Sequence, residues 1–416
     1  MNVERAAIQR RVLRVLVGGQ IVGAAALGAS VTVGAFVVQD ILGDETPLGG
    51  IATATVTMGT AFMSQVLARL MARGGRRAGL QAGYLLAALG CFVAVVGVER
   101  SSLAWFLAGL FLFGNGQAAN LLARYAATDL AEPNERSSAM SRVVFASTFG
   151  AVFGPLLVSP AQWAGEQLFG LSTYSGPWLA SSVFLLAAAL NTFVRLRPDP
   201  LAASGGSFVP QARMKLSAAV RAATATPDGR LALAAMVISQ ATMVAVMTMT
   251  PVHLRLHGHE TFSPYVVSLH IAGMFAFSPL VGKFADRHGR TSAIFVGAVL
   301  LVLASALSAV SGDGHIVLFP SLWLLGIGWN FGLIGGSSLL VESIDDSARV
   351  RVQGAADLLM SFCGGLAGFS SGFVRRAIGF HLLSVSALVL AGVLLVYCVW
   401  GSAGSRTPWV AAFRRR

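Results

Sequence analysis

The chain has 416 residues, of which 55% are hydrophobic and only 12% are charged. Soluble domains carry about 25% charged residues, so this composition excludes a water-soluble globular protein and indicates a protein solvated by lipid. The formal net charge of +12 raises nucleic-acid binding as a function, and the placement of the basic residues, described below, argues against it. The three cysteines lie inside apolar runs, a pattern that favours neither a disulfide framework nor a metal site.

Twelve apolar stretches follow one another along the chain, each close to the roughly 20 residues that a helix needs to cross a membrane. The apolar run from Val15 is not followed by a small-residue cleavage site, so we expect an uncleaved first span rather than a signal peptide. The predicted fold is an all-α membrane protein. The predicted spans are 15–38, 48–68, 79–98, 103–122, 143–160, 177–194, 231–252, 265–284, 291–310, 317–340, 354–374 and 378–400.

One long polar stretch divides the spans into six and six. It contains Pro198, Pro200 and a run of Ser and Gly at 204–207. A short surface helix is predicted within it, at about 212–224. The predicted domains are an N-terminal six-helix half (1–194), a cytoplasmic linker (195–230), a C-terminal six-helix half (231–400) and a basic cytoplasmic tail (401–416).

The distribution of basic residues predicts the orientation in the membrane. With the N-terminus inside, 26 of the 30 Lys and Arg residues fall on the cytoplasmic side. The exceptions are Arg100, Arg255, Arg375 and Arg376. We therefore predict a multi-pass protein of the cytoplasmic (inner) membrane with both termini inside. Because the basic residues are scattered over six loops and the tails, nucleic acid is not a predicted partner.

A short charged motif occurs twice, 214 positions apart. It reads Gly-Lys-Phe-Ala-Asp-Arg-His-Gly-Arg over 282–290 and Ala-Arg-Leu-Met-Ala-Arg-Gly-Gly-Arg over 68–76. Two glycine pairs repeat at the same or nearly the same offset: Gly150 and Gly154 match Gly364 and Gly368 at 214, and Gly114 and Gly116 match Gly326 and Gly328 at 212. Because these elements recur at a nearly constant offset, the sequence predicts two pseudo-symmetric halves. Such an arrangement recurs in transporters.

The twelve spans, the central linker, the cytoplasmic termini and the motif at 282–290 together resemble the major facilitator superfamily. The motif is similar to that family's signature loop between the second and third helices of a half. The resemblance implies a secondary transporter that moves a small-molecule substrate by alternating access around a midplane site, driven by an ion gradient. We further expect a monomer in the lipid bilayer, without a cofactor.

The resemblance implies that the motif closes the cytoplasmic side. Gly282 would let its helix approach a neighbour closely. Asp286 is expected at the N-terminus of the fifth span, where free N–H groups favour an anion. Arg287 and Arg290 are expected to pair with acids such as Glu342. The alternative is that these residues are only the basic loop charges of a cytoplasmic surface.

The first-half copy departs from this pattern, because Ala68 and Ala72 replace the first glycine and the aspartate. A lock on that side is therefore absent or built differently. The predicted gating residues of both copies and their surroundings are Gly282, Asp286, Arg287, Gly289, Arg290, Arg73, Gly75, Arg76, Glu342, Gly150, Gly154 and Pro155.

Residues 150–155, Gly-Ala-Val-Phe-Gly-Pro, resemble the core of the fifth-helix motif of exporters that work by antiport. Ser141, Val158 and Ser159 depart from that pattern. The alternative interpretation is an ordinary packing GxxxG with a proline bend. In the fourth span, Phe111 stands where drug–proton antiporters often carry an arginine, so proton coupling through that position is not expected.

Polar side chains inside spans are costly, so each is a candidate for substrate contact. The predicted substrate-binding residues are Gln20, Asn115, Gln117, Asn120, Gln240, His270, Trp329 and Asn330. The alternative for each amide is a hydrogen bond between helices.

His270 and Asp357 are the candidates for proton coupling. A histidine can change charge near neutral pH, and the alternative for His270 is a packed, neutral ring. Asp357 is the carboxylate that lies well within a predicted span. The alternatives for it are a first-turn acid that favours its helix dipole, or a partner for Arg142 at the start of the fifth span.

The predicted function is export of an apolar or weakly cationic solute by proton antiport. Proton-coupled uptake of a small metabolite is the second hypothesis, and a membrane protein that does not transport is the third. The histidines at 253, 257 and 259 suggest metal transport only weakly, because no cysteine or carboxylate cluster accompanies them. The sequence has neither a phosphate-binding loop with lysine nor a catalytic nucleophile constellation, so we do not expect an enzyme.

Overall fold

The computed structural model describes residues 3–42, 51–205 and 215–403. Across these ranges the regular structure is helical, as expected for a backbone that must satisfy its own hydrogen bonds in lipid. The helices are α1 Val3–Leu42, α2 Ile51–Glu99, α3 Leu103–Ala126, α4 Arg136–Leu156, α5 Val158–Phe169, α6 Ser175–Arg195, α7 Pro200–Ala203, α8 Leu216–Ala223, α9 Pro227–Leu256, α10 Ser263–Phe275, α11 Ser278–His288, α12 Arg290–Ala309, α13 Leu318–Glu342 and α14 Asp346–Ala403, with 3₁₀ turns at Pro133–Glu135 and Glu260–Phe262.

Within the described ranges, nine helical stretches are long and apolar enough to cross a membrane, or ten if the bent pair Pro133–Gly154 and Val158–Phe169 is one span. Two of the helices are unusually long: α2 has 49 residues and α14 has 58. Each of them covers two of the predicted spans, apart from residues 48–50, which lie outside the described ranges. Helix α2 is interrupted at Gly75 and α14 at Gly379.

Helix α2 is a hairpin that folds back at Gly75. A Cβ built on Gly79 would lie 3.0 Å from the carbonyl oxygen of Leu67, and one built on Gly83 would lie 2.9 Å from Leu67 Cδ1. In a straight helix, residues sixteen positions apart would be separated by about 24 Å. The two arms of α2 are therefore packed against each other.

Gly75 has φ 87° and ψ 168°, a backbone conformation that is open almost only to glycine. Gly289, between α11 and α12, has φ 93° and ψ 152°. Gly379, inside α14, has φ 84° and ψ 169°. The last glycine of each copy of the charged motif thus makes the same sharp turn, as their alignment in sequence leads one to expect.

The chain forms two compact units, each assembled from separate stretches. Unit 1 consists of Met1–Glu132, Arg142–Leu216 and Asp346–Phe362, and unit 2 consists of Pro133–Ser141, Ser217–Asp345 and Cys363–Arg416. Each unit therefore contains a short stretch from the other side of the linker in sequence. The start of α4 belongs to unit 2, and the start of α14 belongs to unit 1.

Glycines allow close helix packing inside unit 1. A Cβ built on Gly114 of α3 would lie 2.6 Å from the backbone nitrogen of Thr60 on α2. Trp178, at the start of α6, is buried between Phe106 and Phe113, with ring centroids 5.5 Å away on each side. Small residues and edge-to-face rings thus fill the core where α2, α3 and α6 meet.

Unit 2 repeats this packing at nearly the same sequence offset. A Cβ built on Gly326 of α13 would lie 2.9 Å from the backbone nitrogen of Met274 on α10, and one on Gly328 would lie 3.0 Å from that of Leu301 on α12. Gly326 is 212 positions after Gly114, and it packs on the helix that corresponds to the first arm of α2. The internal repeat is thus visible in the helix contacts as well as in the sequence.

Most observed helices extend beyond the predicted spans, and three of the differences affect the sites described below. Helix α4 begins at Arg136, seven residues before the predicted start, and α14 begins at Asp346, eight residues before it. Their first turns are polar, so a search for apolar runs misses them. The predicted span 265–284 is two helices, α10 and α11, and Pro279 lies in the first turn of the second.

Candidate functional site

Asp286, a residue of α11, contacts the N-terminus of α4 within unit 2. Its carboxylate accepts hydrogen bonds from the backbone N–H groups of Ser137 (3.0 Å) and Ser138 (2.7 Å). These N–H groups belong to the first turn, where they have no partner within the helix, and the helix dipole favours an anion there. The contact is the one expected from the sequence, although α4 starts at Arg136 rather than near Ser141.

Gly282 allows α11 to approach α4 closely enough for this contact. A Cβ built on Gly282 would lie 2.6 Å from Ser141 Cβ and 2.7 Å from the carbonyl oxygen of Ser137. Real Cβ atoms essentially never come within 3.0 Å of such neighbours. Any side chain at position 282 would therefore push α11 away from the N-terminus of α4.

Arg290 connects the motif to the end of α13. Its Nη2 lies 3.2 Å from Asp286 Oδ1 and 3.0 Å from Glu342 Oε1, and it also donates to the carbonyl oxygen of Pro133. Arg287 is exposed, and among the described residues no acid pairs with it. The expected pairing with Glu342 is thus made by Arg290 and not by Arg287.

The first-half copy builds a different set of contacts, in unit 1. Arg76 is fully buried and donates to both carboxylate oxygens of Asp129, at 2.8 and 3.0 Å. The same guanidinium donates to Gln353 Oε1 on α14 at 2.9 Å. Arg73, by contrast, is exposed. In unit 1 the contact with α14 is therefore a hydrogen bond from a buried arginine to an amide. In unit 2 the contact with α4 is made by the carboxylate of Asp286.

In unit 1 the glycine that permits close approach lies on the opposite helix of the crossing from the one that carries it in unit 2. Ala68 occupies the position of Gly282, and Gly354 on α14 packs against it. A Cβ built on Gly354 would collide with Ala68 Cβ and would lie 2.9 Å from the carbonyl oxygen of Ser64. Gly354 stands 213 positions after Ser141, the residue that Gly282 faces in unit 2. The two crossings therefore correspond, with the glycine on the other helix of the pair.

Asp357 is completely buried and pairs with Arg124 of α3. The guanidinium donates to Oδ1 at 2.5 Å and to Oδ2 at 3.1 Å, and Tyr125 Oη lies 3.5 Å from Oδ1. The predicted pairing with Arg142 is wrong. The assignment of Asp357 to the first turn is also wrong, because α14 begins eleven residues earlier, at Asp346.

Arg124 was missed because the predicted span ended at residue 122. Helix α3 continues to Ala126. Gln117, Asn120 and Arg124 follow one another at intervals of three and four, so they form one polar stripe along the helix. That spacing is a signal that the helix continues beyond its apolar stretch. At the offset of 212 that relates Gly114 to Gly326, the position in unit 2 equivalent to Arg124 is Gly336, which carries no charge.

The substrate candidates of unit 1 are held in separate contacts. Gln20 donates to Ser147 Oγ at 2.8 Å, and its own oxygen is buried without a hydrogen-bond partner among the described residues. Asn120 accepts from the Tyr84 hydroxyl at 3.0 Å. Asn115 donates to a carbonyl of its own helix at 2.6 Å, and Gln117 is half-buried.

The structure brings two substrate candidates of unit 2 together. Trp329 Nε1 donates to Gln240 Oε1 at 2.6 Å. Asn330 donates instead to the hydroxyl of Ser278 at 3.0 Å. His270 is fully buried, and its Nδ1 donates to the carbonyl oxygen of Leu322 at 2.8 Å, whereas its Nε2 has no hydrogen-bond partner among the described residues.

Comparison with known proteins identifies the family. The model of the Major Facilitator Superfamily matches residues 18–372. The chain belongs to the Major Facilitator Superfamily. It is 36% identical over 399 residues to YddS of Bacillus subtilis (strain 168), an uncharacterised MFS-type transporter, covering 94% of this chain and 91% of that protein.

The chain is also similar to a second transporter sequence and to a solved transporter structure. The riboflavin transporter RfnT of Brucella anthropi is 28% identical over 396 residues, covering 93% of this chain and 96% of that protein. The crystal structure of the transporter FucP in its outward conformation has a TM-score of 0.74 at 17% sequence identity, covering 95% of this chain and 99% of that chain. This chain is therefore a multi-pass membrane transporter of the superfamily fold.

The glycines of the exporter-like segment are packing positions in this superfamily member. A Cβ built on Gly150 would lie 2.6 Å from the backbone nitrogen of Ala25 on α1, and one on Gly364 would lie 2.7 Å from Gln240 Cγ on α9. Gly154 is buried. Pro155 is part of α4, and its side chain lies outside what the structure describes. The role of this segment in gating stays a prediction.

The histidines near the end of α9 do not form a metal site in the part of the chain that the structure describes. In those ranges no group of three or more His, Cys, Asp or Glu side chains is arranged to hold a metal ion. These histidines contact one another and neighbouring aromatic rings instead.

Proposed function

We propose that this transporter exports a small apolar or weakly cationic solute across the cytoplasmic membrane in exchange for protons. The observation that carries the proposal is the buried pair of Arg124 and Asp357. A carboxylate placed inside a membrane protein and bound to a single arginine can take up and release a proton. Such a site supports coupling in a family that moves small molecules through the membrane.

The proposed topology has twelve spans with both termini in the cytoplasm. Straight helices of 49 and 58 residues would be about 74 and 87 Å long, more than twice the roughly 30 Å of hydrocarbon. Counting α2 and α14 as two spans each, and the bent pair as one, raises the ten candidates to twelve. The distribution of Lys and Arg supports the orientation.

The proposed cytoplasmic lock consists of the contacts around the two copies of the charged motif. In unit 2 it is the capping of α4 by Asp286 together with the pairing of Arg290 and Glu342. In unit 1 it is the contact of Arg76 with Asp129 and Gln353. Alternating access requires that such contacts form in one state and break in the other.

The proposed solute contacts are the predicted amides and the indole of Trp329. In unit 2, Gln240 and Trp329 form a hydrogen-bonded pair, and Phe275 lies edge-on to the indole with ring centroids 5.9 Å apart. Aromatic surface next to an amide suits an apolar solute with few hydrogen-bonding groups. Proton-coupled uptake of a small metabolite is the second candidate, favoured by the similarity to a riboflavin transporter over 93% of the chain.

The test is transport by inverted membrane vesicles with an imposed pH gradient, using a lipophilic fluorescent cation and riboflavin as probes. Export by antiport predicts that a probe accumulates when the vesicle interior is acidic. Asp357→Asn should abolish the effect of the gradient and leave exchange of labelled for unlabelled probe. Asp346→Asn, an exposed acid on the same helix, is the matched control and should behave as wild type.

Two outcomes would contradict the proposal. Accumulation only when the vesicle exterior is acidic would favour proton-coupled uptake. Accumulation that persists in Asp357→Asn with its full dependence on the gradient would remove Asp357 from the coupling mechanism.

A further inference from the structure

Five of the seven histidines lie near the C-terminal end of α9 and the segment 310–317 that joins α12 to α13, all in unit 2. They are His253, His257, His259, His315 and His381. The ring centroid of His253 is 4.4 Å from that of His257 and 5.5 Å from that of His381. His259 and His315 are 4.6 Å apart. None of these residues has a part in the function proposed above.

His257 has an oxygen atom close to each of its two ring nitrogens. Its Nδ1 lies 2.8 Å from the carbonyl oxygen of His253, and its Nε2 lies 3.1 Å from Asp313 Oδ1. A carbonyl oxygen only accepts hydrogen bonds, and so does an ionised carboxylate. A ring with a hydrogen on each nitrogen suits both contacts, and the contact with Asp313 is then an ion pair.

The neighbouring histidine makes a contact that does not need a positive charge. His253 Nε2 donates to the carbonyl oxygen of Gly312 at 3.1 Å, which a neutral ring can also do. Two histidines one turn apart thus hold two consecutive residues of the segment 310–317. Only the contact between His257 and Asp313 depends on a proton from the solvent.

We propose that His257 and Asp313 form a proton-operated latch that holds the end of α9 against the segment 310–317. When His257 binds a proton, it donates to Asp313 and closes the latch. When that proton returns to solvent, the lone pair of Nε2 faces the carboxylate, the attraction is lost and the latch opens.

A proline next to the latch gives the end of α9 a hinge. Pro251 lies inside α9, where its ring removes one backbone hydrogen bond and weakens the helix at that point. His253 on α9 and His257, the first residue after α9, both follow the proline, and Gln240 precedes it by about three turns. If the topology proposed above is correct, this end faces outward, so the latch would respond to external pH.

The charged groups around His257 give the direction of the pH response. Asp313 is the acid that faces it, with side chains 32% exposed for His257 and 76% exposed for Asp313. Histidine side chains ordinarily change charge between pH 5 and 8, so the latch is closed at acidic pH and opens as the pH rises. The basic or titratable groups on the adjoining elements are His253 and Arg255 on α9, His315 on the joining segment, and Arg375, Arg376 and His381 on α14.

The test is amide hydrogen exchange of the purified full-length protein in nanodiscs, at pH 5.5 and 8.0, corrected for the intrinsic pH dependence of exchange. The peptide covering 310–317 should exchange about twofold to fivefold more slowly at pH 5.5, the effect of a partly exposed ion pair. His257→Gln and Asp313→Asn should both remove this difference. His257→Lys keeps a permanent cation and should retain the slow exchange at both pH values.

His288→Gln is the matched control, because it removes a histidine at the end of α11 whose contacts are with Phe284 and not with the latch. It should keep the pH difference of the wild type. Equal exchange of the wild type at both pH values would overturn the proposal, and so would a full pH difference in His257→Gln. Because exchange is measured without a solute, the result does not depend on whether the chain is an exporter.

Discussion

Asp357 shows how a single buried residue depends on a partner that is remote in sequence. Arg124 is 233 positions away, and its guanidinium meets both oxygens of the buried carboxylate. Removing two charges from water costs several kcal/mol for each ion, and only close pairing with full hydrogen bonding offsets this cost. Either residue alone would leave an unpaired charge inside unit 1.

Asp357→Asn should therefore destabilise the protein by about 3–5 kcal/mol, because it leaves Arg124 buried without its counter-charge. The double variant Arg124→Leu/Asp357→Leu should recover most of the loss. The measurement is thermal unfolding of the purified protein in detergent, and the single variants Arg124→Leu and Asp357→Leu complete the double-mutant cycle. Asp346→Asn, whose carboxylate is 86% exposed, should change stability by about 1 kcal/mol or less. Additive effects of the two substitutions would show that the pair is not coupled.

In each unit, one glycine permits the close crossing between the helix that leads into the charged motif and its neighbour. In unit 2 that glycine is Gly282 on α11, which faces Ser141 on α4. In unit 1 it is Gly354 on α14, which faces Ala68 on α2. The two crossings share a glycine at the point of closest approach, but this glycine lies on different helices in the two units. An alignment of the two halves alone would therefore count Ala68 as a lost contact.

Gly354→Ala should destabilise the crossing by about 1–3 kcal/mol, the usual cost of overpacking. The second substitution Ala68→Gly should recover part of this loss, because it removes the nearest obstructing atom and leaves the carbonyl of Ser64 in place. Melting temperatures of the single and double variants in detergent measure the effect. Gly314→Ala, where the new methyl group meets nothing within 4 Å, is the control for added bulk. A double variant less stable than Gly354→Ala would argue against glycine exchange between the helices.

For the whole molecule, the consequence is that the two copies of the motif are built differently. Unit 2 uses an anion at a helix N-terminus, whereas unit 1 uses a buried arginine that reaches an amide. A transporter that alternates between states is sensitive to the free energy of such contacts, because they set the populations of the states. We therefore expect substitutions in the two copies to have unequal effects on transport.

Asp286→Asn should slow transport by about tenfold, because a charge-assisted hydrogen bond contributes roughly 1.5–3 kcal/mol and about 1.4 kcal/mol corresponds to a factor of ten. The measurement is the rate of probe accumulation in the inverted vesicles described above, at equal protein content. Arg287→Gln changes an exposed residue of the same motif and should have a much smaller effect. Equal rates for wild type and Asp286→Asn would separate the capping contact from the transport cycle.

The sequence by itself determined the class of protein, the positions of most apolar helices, the repeat and the family. These properties follow from composition and from local patterns, such as apolar stretches, glycine spacing and the distribution of basic residues. The capping role of Asp286 was also predictable, because the motif and the repeat together pointed to the helix that it caps. The starts of α4 and α14 were not, since their first turns are polar.

The tertiary structure alone decided which distant residues meet. It placed Asp357 against Arg124 rather than Arg142, moved the close-packing glycine of unit 1 to α14, and brought His257 to Asp313. Each of these contacts joins residues on different elements, and its geometry depends on helix ends and crossings that no local pattern specifies. A buried charge needs a partner, but the sequence does not say which one, because the choice depends on the packing of the whole unit.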